Sequence, residues 1–336
     1  MLVRDVGEFG LIDRLRSIIE KEDPSVLVGI GDDGAVVHYE RPVVMTTDAL
    51  VEGIHFREDW IDYQSTGYKS LVASISDVAA MGARPRHALV TLAVPKDGTI
   101  EPILEIYRGM KEACDAYSLS VVGGDVVSTD GPLMLSIALT GELIGDRPLK
   151  RCGAKVGDQV FITGDIGGAG AYVHMMSHDK MGVLAPQDAV LLSDRHRRPT
   201  AQVEAAEILA TQVICTSAND ISDGLGSELH EIATASGVHL AIMEDRLPIP
   251  PGVRHYARLA GVHARDFALF GGEDYQLVGT VARNSAGPFL ALMQARGIRV
   301  TLIGRVEDGD PGVDLLTQSG REIIHKKGFD HFGGQS

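Results

Sequence analysis

The chain has 336 residues, enough for two domains, and its 44% hydrophobic and 23% charged content is that of a folded protein with a buried core. With 46 acidic against 31 basic residues, the net charge of −15 excludes sequence-independent nucleic-acid binding, which needs clustered cations, and suits bound cations. Aromatics at 5% leave no stacking surface for single strands, and no apolar run of 18 residues exists to span a membrane.

Apolar runs alternate between helical and strand-like periods, which predicts an α/β or α+β class. Leu11, Ile12, Leu15, Ile18 and Ile19 share one helical face ahead of Pro24. Strands are expected at Val26–Val28, Val36–Val37 and Val43–Leu50, then a helix over 64–81, a strand over 88–94 and a helix over 100–117. Short strands at 119–122 and 133–143 close the first half. The aperiodic stretch GDRPLKRCGAKVGD (145–158) marks the domain boundary, giving domains 1–148 and 149–336. Beyond it, strands near 159–163, 213–217, 238–242, 275–281 and 299–304 interleave with helices from about 168 and near 199–211, 224–236 and 286–296.

The opening MLVRDVGEFG lacks the basic-then-apolar pattern of a secretory signal. Cys114, Cys152 and Cys215 are odd in number and far apart, which excludes a disulfide framework and fits a reducing cytoplasm. Gly-Lys occurs nowhere, so there is no Walker A loop; HExxH and GxSxG are also absent. GxGxxG does occur, at Gly29, Gly31 and Gly34, but a strand rather than a helix follows it, and Asp32 and Asp33 stand where a pyrophosphate would approach bare amides.

Acids recur at the ends of apolar elements: Asp33 in a glycine turn, Asp48 after Thr46 and Thr47, Asp77 in SISDVAAMGA, Asp125 after Gly123-Gly124, and Asp220 and Asp223 in NDISDGL. Each alone also reads as a solvated turn. Together they offer the hard oxygen donors that Mg²⁺ prefers, and buried acids so grouped need cations between them. GDIGGAG (164–170) fits either a phosphate at a helix N-terminus or close helix–strand packing. GGEDYQL (271–277) reads as a ligand loop or a hairpin turn, and His55 as a ligand contact or a half-polar strand position.

The ordered set GEFGLI, GIGDDGAVV, TTDALVEGIHF, GYKSLVASISDVAAMGARP, VVGGD, KRCGAKVGDQVFITG, NDISDGL, GGEDYQL and KGFDHF, from residue 7 to 332, closely resembles the thiamine-monophosphate kinases of the aminoimidazole-ribonucleotide-synthetase-like superfamily. The resemblance implies a two-domain fold. In that fold the N-terminal α/β domain would bind ATP and metal and form a β-barrel across a homodimer, with a C-terminal α+β domain completing the site. It implies that Asp33, Thr46, Thr47, Asp48, Asp77, Asp125, Asp220 and Asp223 hold several Mg²⁺ ions. It likewise implies that Tyr107, Gly124, Asp125, Arg151 and Ser222 border ATP and that His55, Glu273 and Phe329 contact thiamine monophosphate. Three departures stand out: Phe329 in place of Trp or Tyr, Val126 and Val127 after GGD, and Asn219 in place of an aliphatic residue.

The implied reaction moves a phosphoryl group from ATP to thiamine monophosphate, in a cytoplasmic enzyme with no general base. Rivals are a sister synthetase of the superfamily and a non-catalytic nucleotide-binding paralogue. Among the sisters, selenophosphate synthetase needs an N-terminal cysteine or selenocysteine and the hydrogenase-maturation dehydratase a terminal cysteine, which this chain lacks, while the purine enzyme lacks the GEF and KGFDHF ends present here; the paralogue is set apart by the full set of aspartates retained here.

Overall fold

The computed structural model describes residues 1–31, 33–212 and 214–326, so Phe329 lies outside the described residues. The chain forms two compact units, one of Met1–Val78 with Ala83–Ile144 and one of Ala79–Gly82 with the chain from Gly145 onward.

The first unit begins with helix α1 (Val3–Ile19), which buries Leu11, Leu15 and Ile19 at helical spacing and is broken near its start by Gly7 at φ 69°. Strands β1 (Val26–Val28) and β2 (Val36–Val37) pair as a short ribbon. Then come β3 (Val43–Val51), α2 (Tyr63–Ala80), β4 (Ala83–Pro95), α3 (Ile100–Tyr117), β5 (Ser120–Thr129) and β6 (Met134–Leu143). The sheet order is β3-β6-β4-β5. Only β4 and β5 run parallel, with α3 as the crossover that a parallel pair requires.

The sheet has one dry face and one open face. Leu50, Val90, Leu92, Leu135, Ile137 and Leu139 are buried on the first, while Met45 and Leu89 are 77% and 45% exposed on the second. Alternation along the strands produces this division. α2 and α3 cross with their backbones touching: a Cβ on Gly67 would overlap the Ile106 carbonyl, and one on Gly109 the Gln64 carbonyl. At one end a polar chain ties the β1–β2 ribbon to the sheet. Asp23 accepts from Ser25 Oγ at 2.6 Å and from Ser120 Oγ at 2.8 Å, Ser25 Oγ meets His87 Nε2 at 2.9 Å, and His87 Nδ1 meets Tyr39 OH at 2.8 Å.

The second unit contains β7 (Gln159–Thr163), α4 (Gly168–Ser177), α5 (Pro186–Arg197), α6 (Val203–Gln212), β8 (Cys215–Asp220), α7 (Leu225–Ser236), β9 (His239–Met243), α8 (Pro251–Ala260), α9 (Ala264–Phe270), β10 (Leu277–Val281), α10 (Ala286–Ala295), β11 (Val300–Glu307), β12 (Gly312–Thr317) and β13 (Gly320–Ile323). Its seven strands are ordered β13-β12-β9-β11-β7-β10-β8, antiparallel except for β12 beside β9. Both faces are covered. Val160 and Ile162 of β7 pack into one layer with Leu229, Ile232 and Tyr256, and Phe161 packs into the other with Leu209 and Phe289. Helix and sheet are mixed in both units, as the sequence predicts. Helices α5, α8 and α9 and strands β12 and β13 are additions, and β5 continues seven residues past the expected end at 122.

Candidate active site

In the first unit, β3 and α2 bring part of the predicted acid set together. Thr46 and Asp48 lie two residues apart on β3, so both point to the dry face, towards α2. Ser74 and Asp77 lie three apart on α2, on one helical face. Ser74 Oγ donates to Asp48 Oδ2 at 2.6 Å, and Thr46 Oγ1 donates to Asp77 Oδ2 at 2.6 Å. Burial pushes the Asp48 carboxyl above its ordinary value, against the Ser74 hydrogen bond.

Other predicted residues of this unit lie elsewhere. Thr47 alternates to the open face. Asp125 pairs with Thr91 in the β4–β5 register, one step past the Val90–Gly124 pair, so it too sits on the open face, opposite Asp48. Gly124 fits only as glycine, since a Cβ would overlap the Val90 carbonyl. Asp33 is exposed in the turn before β2. His55 sits in the turn after β3, where its Nδ1 accepts from the Val51 N–H at 3.0 Å, leaving the ring proton on Nε2. Tyr107 is buried in the α3 core, and burial raises its pKa.

In the second unit, two sequence motifs far apart in the chain run side by side. Leu277 of β10 pairs with Asp220 of β8. Beyond that pair the Tyr275 N–H donates to the Ile221 carbonyl at 2.8 Å, and the Glu273 N–H to the Ser222 carbonyl at 2.7 Å. NDISDGL and GGEDYQL are therefore one paired loop. The approach is close enough that a Cβ on Gly272 would overlap the Ser222 carbonyl, and Glu273 and Tyr275 adopt φ of 66° and 50°. This fixes Asp220, Ser222, Asp223 and Glu273 on adjoining backbone. The Glu273 carboxylate meets His196 Nδ1 of α5 at 3.0 Å.

GDIGGAG resolves in favour of packing. A Cβ on Gly170 would lie 2.7 Å from Gly271 Cα, and the anion position at the start of α4 is filled from within: the Gly167 N–H donates to Asp274 Oδ2 at 2.8 Å. Burial pushes the Asp274 carboxyl up to about 8, against the helix N–H groups and Arg195.

Arg151 is half exposed. Its Nε donates to Asn219 Oδ1 at 3.1 Å and its Nη1 to Glu231 Oε2 at 3.2 Å. Sequence reasoning missed Ser74, His196 and Glu228. Glu228 accepts from Asn219 Nδ2 and from the Asp223 N–H at 3.3 Å. Burial, then the Asp220 and Asp223 charges, push its carboxyl up to about 8. The readable signal was a glutamate in the first turn of a helix, reaching back to its own entry loop.

Among the described residues, no three or more His, Cys, Asp or Glu side chains form a ready-made ion cage. That still suits Mg²⁺, which is usually held by one or two carboxylates, with substrate phosphates and water supplying the remaining oxygens. Asp48, Asp77 and Thr46 present only oxygen, and all three are half-buried, so the donor chemistry fits that ion.

Residues 31–143 match the model of the AIR synthase related protein N-terminal domain, and residues 155–315 that of the C-terminal domain. The thiamine-monophosphate kinase of Aquifex aeolicus (strain VF5) is 35% identical over 333 residues, covering 99% of this chain and 100% of the relative. That of Bacillus subtilis (strain 168) is 37% identical over 317 residues, covering 92% of this chain and 94% of the relative. A solved structure described as AaThiL complexed with AMPPCP and TMP superposes with a TM-score of 0.77 at 34% identity, covering 99% of both chains. With both domain models matched in order and relatives of this identity spanning its length, the chain belongs to the thiamine-monophosphate kinase family.

Proposed function

We propose that this protein catalyses ATP + thiamine monophosphate → ADP + thiamine diphosphate by direct phosphoryl transfer, with residues 1–148 serving ATP, metal and dimerisation and residues 149–336 completing the nucleotide and substrate site. The observation that carries the reading is the Asp48–Ser74 and Asp77–Thr46 arrangement, a half-buried oxygen-only donor set in a chain whose relatives are thiamine-monophosphate kinases. The acceptor is a phosphate oxygen. A phosphomonoester has its second pKa near ~6, so it is largely ionised at neutral pH and needs no general base.

The barrier is the approach of two anions. Mg²⁺ held by Asp48, Asp77 and Thr46, with Asp33, Thr47, Asp125, Asp220 and Asp223 as further ligands, would supply charge neutralisation and a template for in-line attack. The chain's own part is to fix these oxygens on rigid elements. Arg151 adds a cationic fork for phosphate oxygens. Gly124 and Ser222 border the nucleotide backbone-close, with Tyr107 near the adenosine. His55, Glu273 and Phe329 contact thiamine monophosphate. The His55 Nε2–H is a donor for its phosphate, and the His196 contact keeps the Glu273 side chain in one place.

A homodimer completes this reading. The open face of the four-stranded sheet carries Val43, Met45, Leu89, Val127 and Met134 exposed together, apolar surface that a second copy would bury. The testing experiment is steady-state ADP release with Mg²⁺ and ATP, with and without thiamine monophosphate. Release is expected only with it. Release that ignores thiamine monophosphate, or none at all, would refute the reading.

A further inference from the structure

Beyond the family's ligands, the second unit contains a buried glutamate to which neither the reaction nor the sequence motifs assign a task. Glu228 lies in the first turn of α7 and is 3% exposed. Three groups converge on it, and all three are donors: Asn219 Nδ2 on one carboxylate oxygen, the Asp223 N–H at 3.3 Å and Ser222 Oγ at 3.5 Å on the other. Asn219, itself 3% exposed, passes the connection on, because its Oδ1 accepts from Arg151 Nε at 3.1 Å. Arg can only donate, so the Asn219 amide oxygen must face Arg151 and its NH₂ must face Glu228.

We propose that Glu228 is the positioning residue of this half of the nucleotide site, holding the Ser222–Asp223 loop directly and the Arg151 guanidinium through Asn219. The proposal rests on the reading that Arg151 and Ser222 touch ATP. Asn219 is then the element that extends the hold to Arg151. The exposed Arg151–Glu231 pair adds little constraint of its own.

The polarity of the relay makes the idea testable. In Glu228→Gln, the new amide has one acceptor and one donor end. If its oxygen stays with the Asp223 N–H, its NH₂ faces the Asn219 NH₂. If it flips, its NH₂ faces the Asp223 N–H. Either way one hold is lost. Asn219→Asp alone sets two carboxylates against each other. The double variant Glu228→Gln/Asn219→Asp restores every pairing. The carboxylate introduced at position 219 would accept both from the amide introduced at position 228 and from Arg151.

The experiment is steady-state kinetics on purified full-length protein, with thermal melting of every variant. Glu228→Gln is expected to raise KM for ATP by about tenfold or more, the scale of one hydrogen bond to a charged group, with KM for thiamine monophosphate little changed. The double variant is expected to recover most of that loss, a coupling that a merely structural role would not produce. An unchanged KM for ATP in Glu228→Gln, or a double variant no better than its parents, would overturn the proposal while Arg151→Ala still weakens ATP. If Arg151→Ala leaves KM for ATP at the wild-type value, the reading of Arg151 falls and the proposal falls with it.

Discussion

Replacing Asp48 by Asn separates the charge of this residue from its shape. The carboxylate is half-buried on the dry face of β3 and accepts from Ser74 Oγ at 2.6 Å. Asn keeps an acceptor oxygen for that hydroxyl and fills the same space, so the fold is expected to stand. What disappears is the negative charge that would hold a divalent ion against polyphosphate. Such an ion supplies several kcal/mol of charge stabilisation in phosphoryl transfer. A loss of about 3–5 kcal/mol corresponds to a fall in kcat of roughly 10²–10⁴. The fold responds in the opposite sense. Burial disfavours the ionised Asp48, so without Mg²⁺ the neutral variant is expected to melt at the wild-type temperature or above it. Melting curves with and without Mg²⁺ and ATP, beside kcat at saturating substrates and Mg²⁺, read both effects. A variant that turns over within about threefold of wild type, too small a change for a lost metal ligand, would refute the reasoning.

Three further outcomes follow from the geometry. Gly124→Ala drives a Cβ into the Val90 carbonyl and is expected to cost about 3 kcal/mol or more of stability, read by denaturant titration. Asp23 is pushed up by burial but drawn down further by Ser25, Ser120 and His87, to about 2. Its stabilising share is therefore full above the unfolded value near ~4 and is lost as pH falls through 2, so Asp23→Asn is expected to cost about 2 kcal/mol at pH 7 and to flatten the acid limb of the stability curve. Leu89→Asp puts a charge in the open apolar face and is expected to yield monomers by sedimentation, whereas an unchanged mass would argue against dimerisation through that face.

Much of this architecture is legible in the residues, and the illegible parts have physical causes. α3 was readable because Ile103, Ile106, Met110 and Ala113 keep helical spacing over its buried face. α5, PQDAVLLSDRHR, was not, because most of its residues are polar and it buries only Ala189, Leu192 and His196. Gly123-Gly124 reads as a turn and so hides the second half of β5. The chain instead runs on as a strand, with a register shift against β4 beside that pair.

The candidate site divides in the same way. Aspartates at element ends could be recognised by composition and order. Which face of the sheet each one takes depends on register: alternation places Thr46 with Asp48, and the shift before Gly124 sends Asp125 to the other side. Glu228 escaped because its partners are mostly backbone and amide groups, contacts that leave no spacing pattern among charged residues.

The most direct measurement follows ³²P from γ-labelled ATP in a reaction with Mg²⁺, thiamine monophosphate and the full-length protein. Label is expected in thiamine diphosphate, in step with the ADP formed, and none on the protein when thiamine monophosphate is left out. Label retained on the chain under that condition, or ADP formed without labelled thiamine diphosphate, would contradict direct transfer to the phosphate of thiamine monophosphate.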